Sequence, residues 1–260
     1  MLSGFGSREL FSLQDRVAVV TGGGGGLGRA IASGLAEFGA SLVIADIDEA
    51  QARLTASALL ARGHYALAVS LDVSDEQQTE NMVRKTLDEM GHIDILVNNA
   101  GVSRRYPIDE FPVEEWQRVI QVNLIGAFVC SRAVGKEMSR QRKGSIINIA
   151  SIAGFIGRAI KNSAYSASKA GLISLTRTLA VQWAKSGVRV NAIAPAEMNS
   201  PLLDDLRREP GALEERVARI PMGRIGNPNE IIGPTVFLAS EASSFVTGHV
   251  LSVDGGALAF

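Results

Sequence analysis

Apolar residues along this 260-residue chain follow two alternating rhythms. Short, nearly unbroken runs rich in β-branched residues lie at 16–22 (RVAVVTG), 41–46 (SLVIAD), 65–73 (YALAVSLDV), 93–100 (IDILVNNA), 144–151 (GSIINIAS), 188–195 (VRVNAIAP) and 249–256 (HVLSVDGG). Between them, the stretches 27–39, 48–62, 75–90, 113–141, 163–186 and 228–240 repeat their apolar residues at helical spacing. Strands this continuously apolar belong to a parallel sheet covered on both faces. Strands alternating with helices make βαβ units and a doubly wound sheet. The pattern predicts an α/β fold with a parallel sheet of about seven strands and helices on both faces. Residues 15–260 read as a single domain, preceded by a loose lead-in at 1–14, with no repeat or linker-like break.

Composition narrows the setting. With 26 basic and 27 acidic residues the formal net charge is -1, so no long-range field favours nucleic acid or an anionic membrane. Cys130 is the only cysteine, which rules out an internal disulfide and gives no sign of an oxidising compartment. The opening residues lack a basic start followed by an apolar run. No apolar stretch approaches the roughly 18 residues a membrane span needs. A cytoplasmic protein is the expectation.

Candidate chemistry begins where the first strand ends, in TGGGGGLG at 21–28. Glycines let a backbone approach a pyrophosphate closely with its N–H groups aimed at it. The following helix adds its positive N-terminal end. The second strand ends at Asp46, about 20 residues further on, where a carboxylate accepts hydrogen bonds from the adenosine ribose and repels the 2′-phosphate of NADP. No arginine follows at once; the next residues are Ile47 and Asp48, and Asp48 fits a helix N-cap. The expected cofactor is NAD, with NADP the lesser alternative.

These features, with Thr21-Gly22-x-x-x-Gly26-x-Gly28, Asp72-Val73, NNAG at 98–101, Asn123, Ser151, Tyr165-x-x-x-Lys169 and the closing VTGHVLSVDGG in this order, resemble the classical short-chain dehydrogenases/reductases, from about residue 14 to the end. The resemblance implies a Rossmann fold and cofactor contacts from Gly22, Gly26, Leu27, Gly28, Asp46, Ile47, Asp72, Val73, Asn99, Ala100, Gly101, Tyr165, Lys169, Pro195 and Met198. It implies a catalytic set of Asn123, Ser151, Tyr165 and Lys169. Tyr165 would exchange the proton of a substrate hydroxyl, Ser151 would hold the substrate oxygen, Lys169 would bond the nicotinamide ribose, and Asn123 would anchor a relay water. On a helix Tyr165 and Lys169 share one face. The ammonium is expected to pull the phenol below its usual pKa of about 10, toward the range where a general base works best.

The loop after the sixth strand departs from the family's Pro-Gly-x-Val/Ile-x-Thr, reading Pro195-Ala196-Glu197-Met198-Asn199-Ser200. Residues 196–220 are expected to form a helical lid over the substrate. Arg104, Arg105, Arg158 and Lys161 lie in loops near the expected mouth, as carboxylate readers or ordinary solvated surface. His64, His92 and His249 show no ligand spacing, and no metal is expected. Substrates of the sugar, polyol or sugar-acid class, gluconate among them, stand first. A 3-oxoacyl-carrier-protein reductase using NADPH is the alternative, and a non-catalytic NAD sensor or scaffold is a third reading. Phe128, Val129, Leu172, Leu175 and Trp183 on the two long helices, with the apolar ALAF at 257–260, point to a homotetramer.

Overall fold

Each apolar run becomes a strand in a computed structural model that describes residues 6, 9–157, 161–208 and 210–259. The strands are β1 (Val17–Thr21), β2 (Ser41–Asp46), β3 (Ala66–Ser70), β4 (Ile95–Asn98), β5 (Gly144–Ile149), β6 (Val188–Pro195) and β7 (Val250–Val253). The helices are α1 (Gly26–Glu37), α2 (Glu49–Leu60), α3 (Glu76–Met90), α4 (Val113–Ile120), α5 (Ala127–Gln141), α6 (Ser163–Trp183), α7 (Asp204–Arg208), α8 (Ala212–Val217) and α9 (Ile232–Ala239). All seven strands pair in parallel in the order β3-β2-β1-β4-β5-β6-β7. This is a doubly wound Rossmann-type sheet, and its order reverses between β1 and β4.

Alternation within each strand builds two cores. In β1, Ala18 and Val20 face one layer with Ile31, Leu35 and Leu42, beneath α1, α2 and α9. Val19 faces the other, with Met82, Val134, Met138 and Leu179 from α3, α5 and α6. Full burial of such a side chain contributes about 1.5–3 kcal/mol, so both faces of the sheet are held. Helix starts follow local chemistry: Asp48 caps α2 by accepting from Gln51 N at 3.1 Å, and Asp75 caps α3 by accepting from Gln78 N at 3.0 Å. Gly91, at φ 82°, closes α3 in the left-handed conformation.

Two segments carry detail beyond the sequence pattern. The helix expected at 113–141 is interrupted by a π-helical stretch, Gln121–Gly126, between α4 and α5. Within residues 196–220, expected as a helical lid, the described residues form a 3-10 turn at Pro201–Leu203 and two short helices, α7 and α8, with Gly211 at φ 78° just ahead of α8. Among the described residues, no helix is long and apolar enough to cross a membrane.

Candidate active site

The reversal of strand order opens a crevice at the carboxyl ends of β1 and β4, which widens into a cavity of about 1370 Å³. The Thr21 hydroxyl ties the two strand ends together. It donates to the Val97 carbonyl at 3.3 Å and accepts from the Asn99 and Ala100 amides at 3.1 and 3.2 Å. The Asn99 side chain donates to the carbonyls of Thr21 and Gly22, both at 3.0 Å. The glycine turn is thereby held from below. Gly22 has φ 62°, and a Cβ on Gly28 would lie 2.0 Å from the Gly22 carbonyl oxygen. Gly28 is thus a packing requirement of the turn and does not line the cavity.

At the tip the turn is open. Gly25 caps α1 without a side-chain hydrogen bond, and a Cβ there would meet nothing within 4 Å. The first-turn amides of α1 have no side-chain cap at the cavity edge, the arrangement that suits a pyrophosphate. Leu27, Asp46, Ile47, Asp72, Val73, Asn99, Ala100 and Gly101 continue the lining. The residues present fit a dinucleotide. The Asp46 carboxylate accepts from Gly24 N at 2.9 Å and Asp48 N at 3.0 Å, which fixes it at the end of β2. A side chain on Gly24 would collide with Asp46 Oδ2 and Gln51 Cβ, each at 2.8 Å. Arg29 is spent on the turn itself, donating to the Gly24 carbonyl and the Thr55 hydroxyl at 3.1 Å.

At the other end of the cavity, β5 delivers Ser151 and α6 delivers Tyr165 and Lys169. Ser151 caps the short turn that follows it by accepting from Ala153 N at 3.1 Å, and its hydroxyl also hydrogen-bonds Tyr165. Lys169 is only 4% exposed, which excludes a solvated helix face. Its ammonium donates to the Ile149 carbonyl at 2.7 Å and lies 5.5 Å from the Tyr165 ring centroid. The expected downward pull on the tyrosine does not appear. Burial pushes the Tyr165 phenol up to about 12; the Ser151 hydrogen bond offsets part of this, and the Glu197 charge adds to it. Burial also lowers the Lys169 amine to about 8. Helical spacing counts the attraction of the ammonium but not the water that both groups lose.

Asn123 sits in the π-helical stretch, buried and outside the cavity lining. Its side chain accepts from Val102 N at 2.8 Å and donates to the Val102 carbonyl at 3.0 Å and the Ser168 hydroxyl at 3.1 Å. The Ser168 hydroxyl in turn donates to the Tyr165 carbonyl at 2.7 Å. These contacts tie the loop after β4 to the first turns of α6. None of them reaches Lys169.

Comparison with known proteins agrees with this geometry. Residues 23–257 match the family model described as "Enoyl-(Acyl carrier protein) reductase". The chain is 44% identical over 243 residues to cis-4-hydroxycyclohexanecarboxylate dehydrogenase of Sinomonas cyclohexanicum, covering 93% of this chain and 96% of that one. It is 42% identical over 250 residues to 2-dehydro-3-deoxy-D-gluconate 5-dehydrogenase of Dickeya dadantii, covering 96% and 98%. A crystal structure of a gluconate 5-dehydrogenase from Burkholderia cenocepacia in complex with NADP and tartrate superposes with a TM-score of 0.94 at 36% identity, covering 98% of this chain and 100% of that one. The chain belongs to the short-chain dehydrogenase/reductase family. It is an oxidoreductase that acts on alcohol or keto groups.

Within this short-chain dehydrogenase/reductase, Pro195 and Met198 line the cavity as expected. Lining residues the sequence analysis did not single out include Trp116 and Gln117 of α4, Asn162, and Arg216 of α8. Arg216 Nη1 donates to Glu197 Oε1 at 2.8 Å, and both side chains are buried. The one available signal was Glu197 itself, a carboxylate two residues past the strand-ending proline. Arg104 lines the cavity while bound to Glu115 at 3.0 Å, and Arg105 also lines it. Lys161 is exposed and outside the lining, and Arg158 lies outside the described residues. Among the described residues no cluster suits a metal ion.

Proposed function

We propose that the enzyme oxidises a secondary alcohol on a sugar acid, polyol or hydroxylated ring acid with NAD, and reduces the matching ketone with NADH. The observation that carries this reading is one cavity lined by Ser151, Tyr165 and Lys169 at one end and by Asp46 and the open glycine turn at the other. The names of the relatives, a hydroxycyclohexanecarboxylate dehydrogenase and a dehydro-deoxygluconate dehydrogenase, support the substrate class.

Nicotinamide, when bound, supplies the hydride acceptor. The chain supplies the proton chemistry. The Ser151 hydroxyl orients the substrate oxygen, and the Tyr165 oxygen takes its proton as the carbon–hydrogen bond gives up its electron pair. In reduction Tyr165 returns the proton to the carbonyl oxygen. Raised to about 12 by burial, the Tyr165 phenol is neutral at working pH, which suits it to the acid half-reaction. As a base it needs positive charge beyond that of the Lys169 ammonium already beside it, which an oxidised nicotinamide would provide when bound. Asn123 acts as a positioning residue through Val102 and Ser168.

Fixation of Asp46 at the ribose end, and crowding at Gly24 that leaves no room for a basic side chain at that one position of the turn, support NAD over NADP. Solved relatives described with NADP bound, a gluconate 5-dehydrogenase among them, are the observation on the other side. We further propose a cytoplasmic homotetramer that binds neither nucleic acid nor membrane. Tyr165→Phe is expected to lower kcat on the order of a thousandfold while nucleotide binding, read by fluorescence quenching, is retained. Unchanged kcat would remove Tyr165 from the chemistry.

A further inference from the structure

One guanidinium in the cavity wall carries donors that the described chain does not use. Beyond Pro195 the backbone is pinned on both sides. Ala196 N donates to the Val253 carbonyl at 3.1 Å, Gly226 N to the Glu197 carbonyl at 2.9 Å, and Asn199 N to the Gly226 carbonyl at 2.8 Å. Glu197 therefore starts from a fixed main chain, and its carboxylate accepts from Arg216 Nη1 at 2.8 Å. Arg216 lines the cavity with Ser151 and Tyr165 and is otherwise covered, at 8% exposure. Its Nε and Nη2 make no hydrogen bond among the described residues, yet neither atom is sealed from solvent. A guanidinium presents its N–H donors as a planar fork, and the Nε–Nη2 edge matches both oxygens of a carboxylate. Strand register places this edge beside the chemistry. Ile149 of β5 pairs with Ile193 of β6, and Ala150 N donates to the Ile193 carbonyl at 2.8 Å. Ser151 thus stands level with Pro195, about 4.8 Å across the sheet, and Glu197 follows two residues on. The glycine turn ends β1, three places from β6 in the strand order, roughly 14 Å away. The phosphates of a dinucleotide belong at that turn, which leaves the Arg216 edge to the substrate.

We propose that Arg216, oriented by Glu197, is a specificity-determining residue that binds a substrate carboxylate through Nε and Nη2, so that the site takes hydroxy acids and the matching keto acids in preference to neutral alcohols. The inference rests on the dehydrogenase reading above and narrows it. When substrate fills the cavity these N–H groups lose water. A carboxylate replaces that water with two charge-assisted bonds, whereas a neutral alcohol leaves a buried charge half-paired. A site built to bond one group discriminates against the analogue that lacks it.

The test compares initial rates with NAD on two matched pairs, cis-4-hydroxycyclohexanecarboxylate against cyclohexanol and gluconate against glucitol. For the wild type, kcat/KM on at least one acid is expected to exceed that on its neutral partner by roughly tenfold or more. Arg216→Met should reduce this ratio by roughly tenfold or more, chiefly through KM for the acid. Arg216→Lys, which keeps the charge without the fork, should retain part of it. A residue that only held α8 in place, or that only bound the nucleotide, would lower both rates together. A ratio within twofold of wild type in Arg216→Met therefore overturns the inference. Should that variant fail to fold, the wild type decides: cyclohexanecarboxylate should compete with the alcohol and cyclohexanecarboxamide should not, and equal inhibition by the two overturns the inference. Neutral alcohols turned over as well as both acids overturn it while leaving the dehydrogenase reading intact. Turnover of none of the four, with either NAD or NADP, overturns both.

Discussion

Burial, not charge pairing, decides the resting state of the two groups four residues apart on α6. Tyr165 is raised to about 12 and Lys169 lowered to about 8, each chiefly by loss of water. A raised value keeps the tyrosine phenol neutral up to higher pH. In the cofactor-free protein, the ultraviolet difference between wild type and Tyr165→Phe should therefore show no tyrosinate from this residue up to about pH 11. A Tyr165 signal at or below about pH 10 would contradict the burial argument. At the other end of the cavity, the proposed preference for NAD rests on repulsion by Asp46. Asp46→Ser should raise kcat/KM with NADP relative to NAD by on the order of tenfold to a hundredfold, and an unchanged ratio would locate cofactor choice elsewhere. The local motifs were legible because each demands particular residue types at fixed offsets: Gly22, Gly26, Asp46, Ser151, Tyr165 and Lys169 all line the cavity. The direction of the Tyr165 shift was not legible, because helical spacing carries no information on depth.

Elements position these groups through contacts that tolerate little change. The glycine turn, the end of β4 and the start of α1 interlock through Thr21, Asn99 and Gly28. Gly28→Ala places a Cβ 2.0 Å from the Gly22 carbonyl oxygen, an overlap only main-chain movement relieves. Its expected cost is about 3 kcal/mol, the upper end for overpacking, together with weakened nucleotide binding. Urea unfolding of the two proteins measures it, and equal stability would mean that the turn is softer than its geometry. Strands were readable because both faces of the sheet are covered, which forces apolar runs such as VAVV in β1 and LVIA in β2. The π-helical stretch was not readable, since the apolar spacing around Asn123 is the same for a continuous helix; it is visible only once Asn123 is seen holding Val102 and Ser168. The Glu197–Arg216 pair escaped for a related reason: 19 residues separate its members, within a segment whose other charges are mostly exposed.

On the scale of the whole molecule, the apolar surface available for assembly differs from that expected. Val129 and Leu172 are buried within the chain, Leu175 and Trp183 pack against the core beneath α5 and α6, and only Phe128 of the five is exposed. Ile125 and Val181 add to it, at 39% and 79% exposure. A two-fold pairing of α5 and α6 through Phe128 and Val181 would cover these side chains. The expected result of multi-angle light scattering is the mass of four chains; the mass of one would refute the assembly.

In the proposed mechanism the two ends of one cavity act together, with nucleotide selected at Asp46 and proton exchanged at Tyr165. Near-ultraviolet measurement of nicotinamide reduction, with NAD and NADP side by side over a panel of polyols, sugar acids and hydroxylated ring acids, tests it most directly. Turnover with NAD exceeding that with NADP, abolished by Tyr165→Phe, is the expected result. Silence with NAD across the panel, with NADPH consumed on a 3-oxoacyl thioester, would contradict both the cofactor and the substrate class.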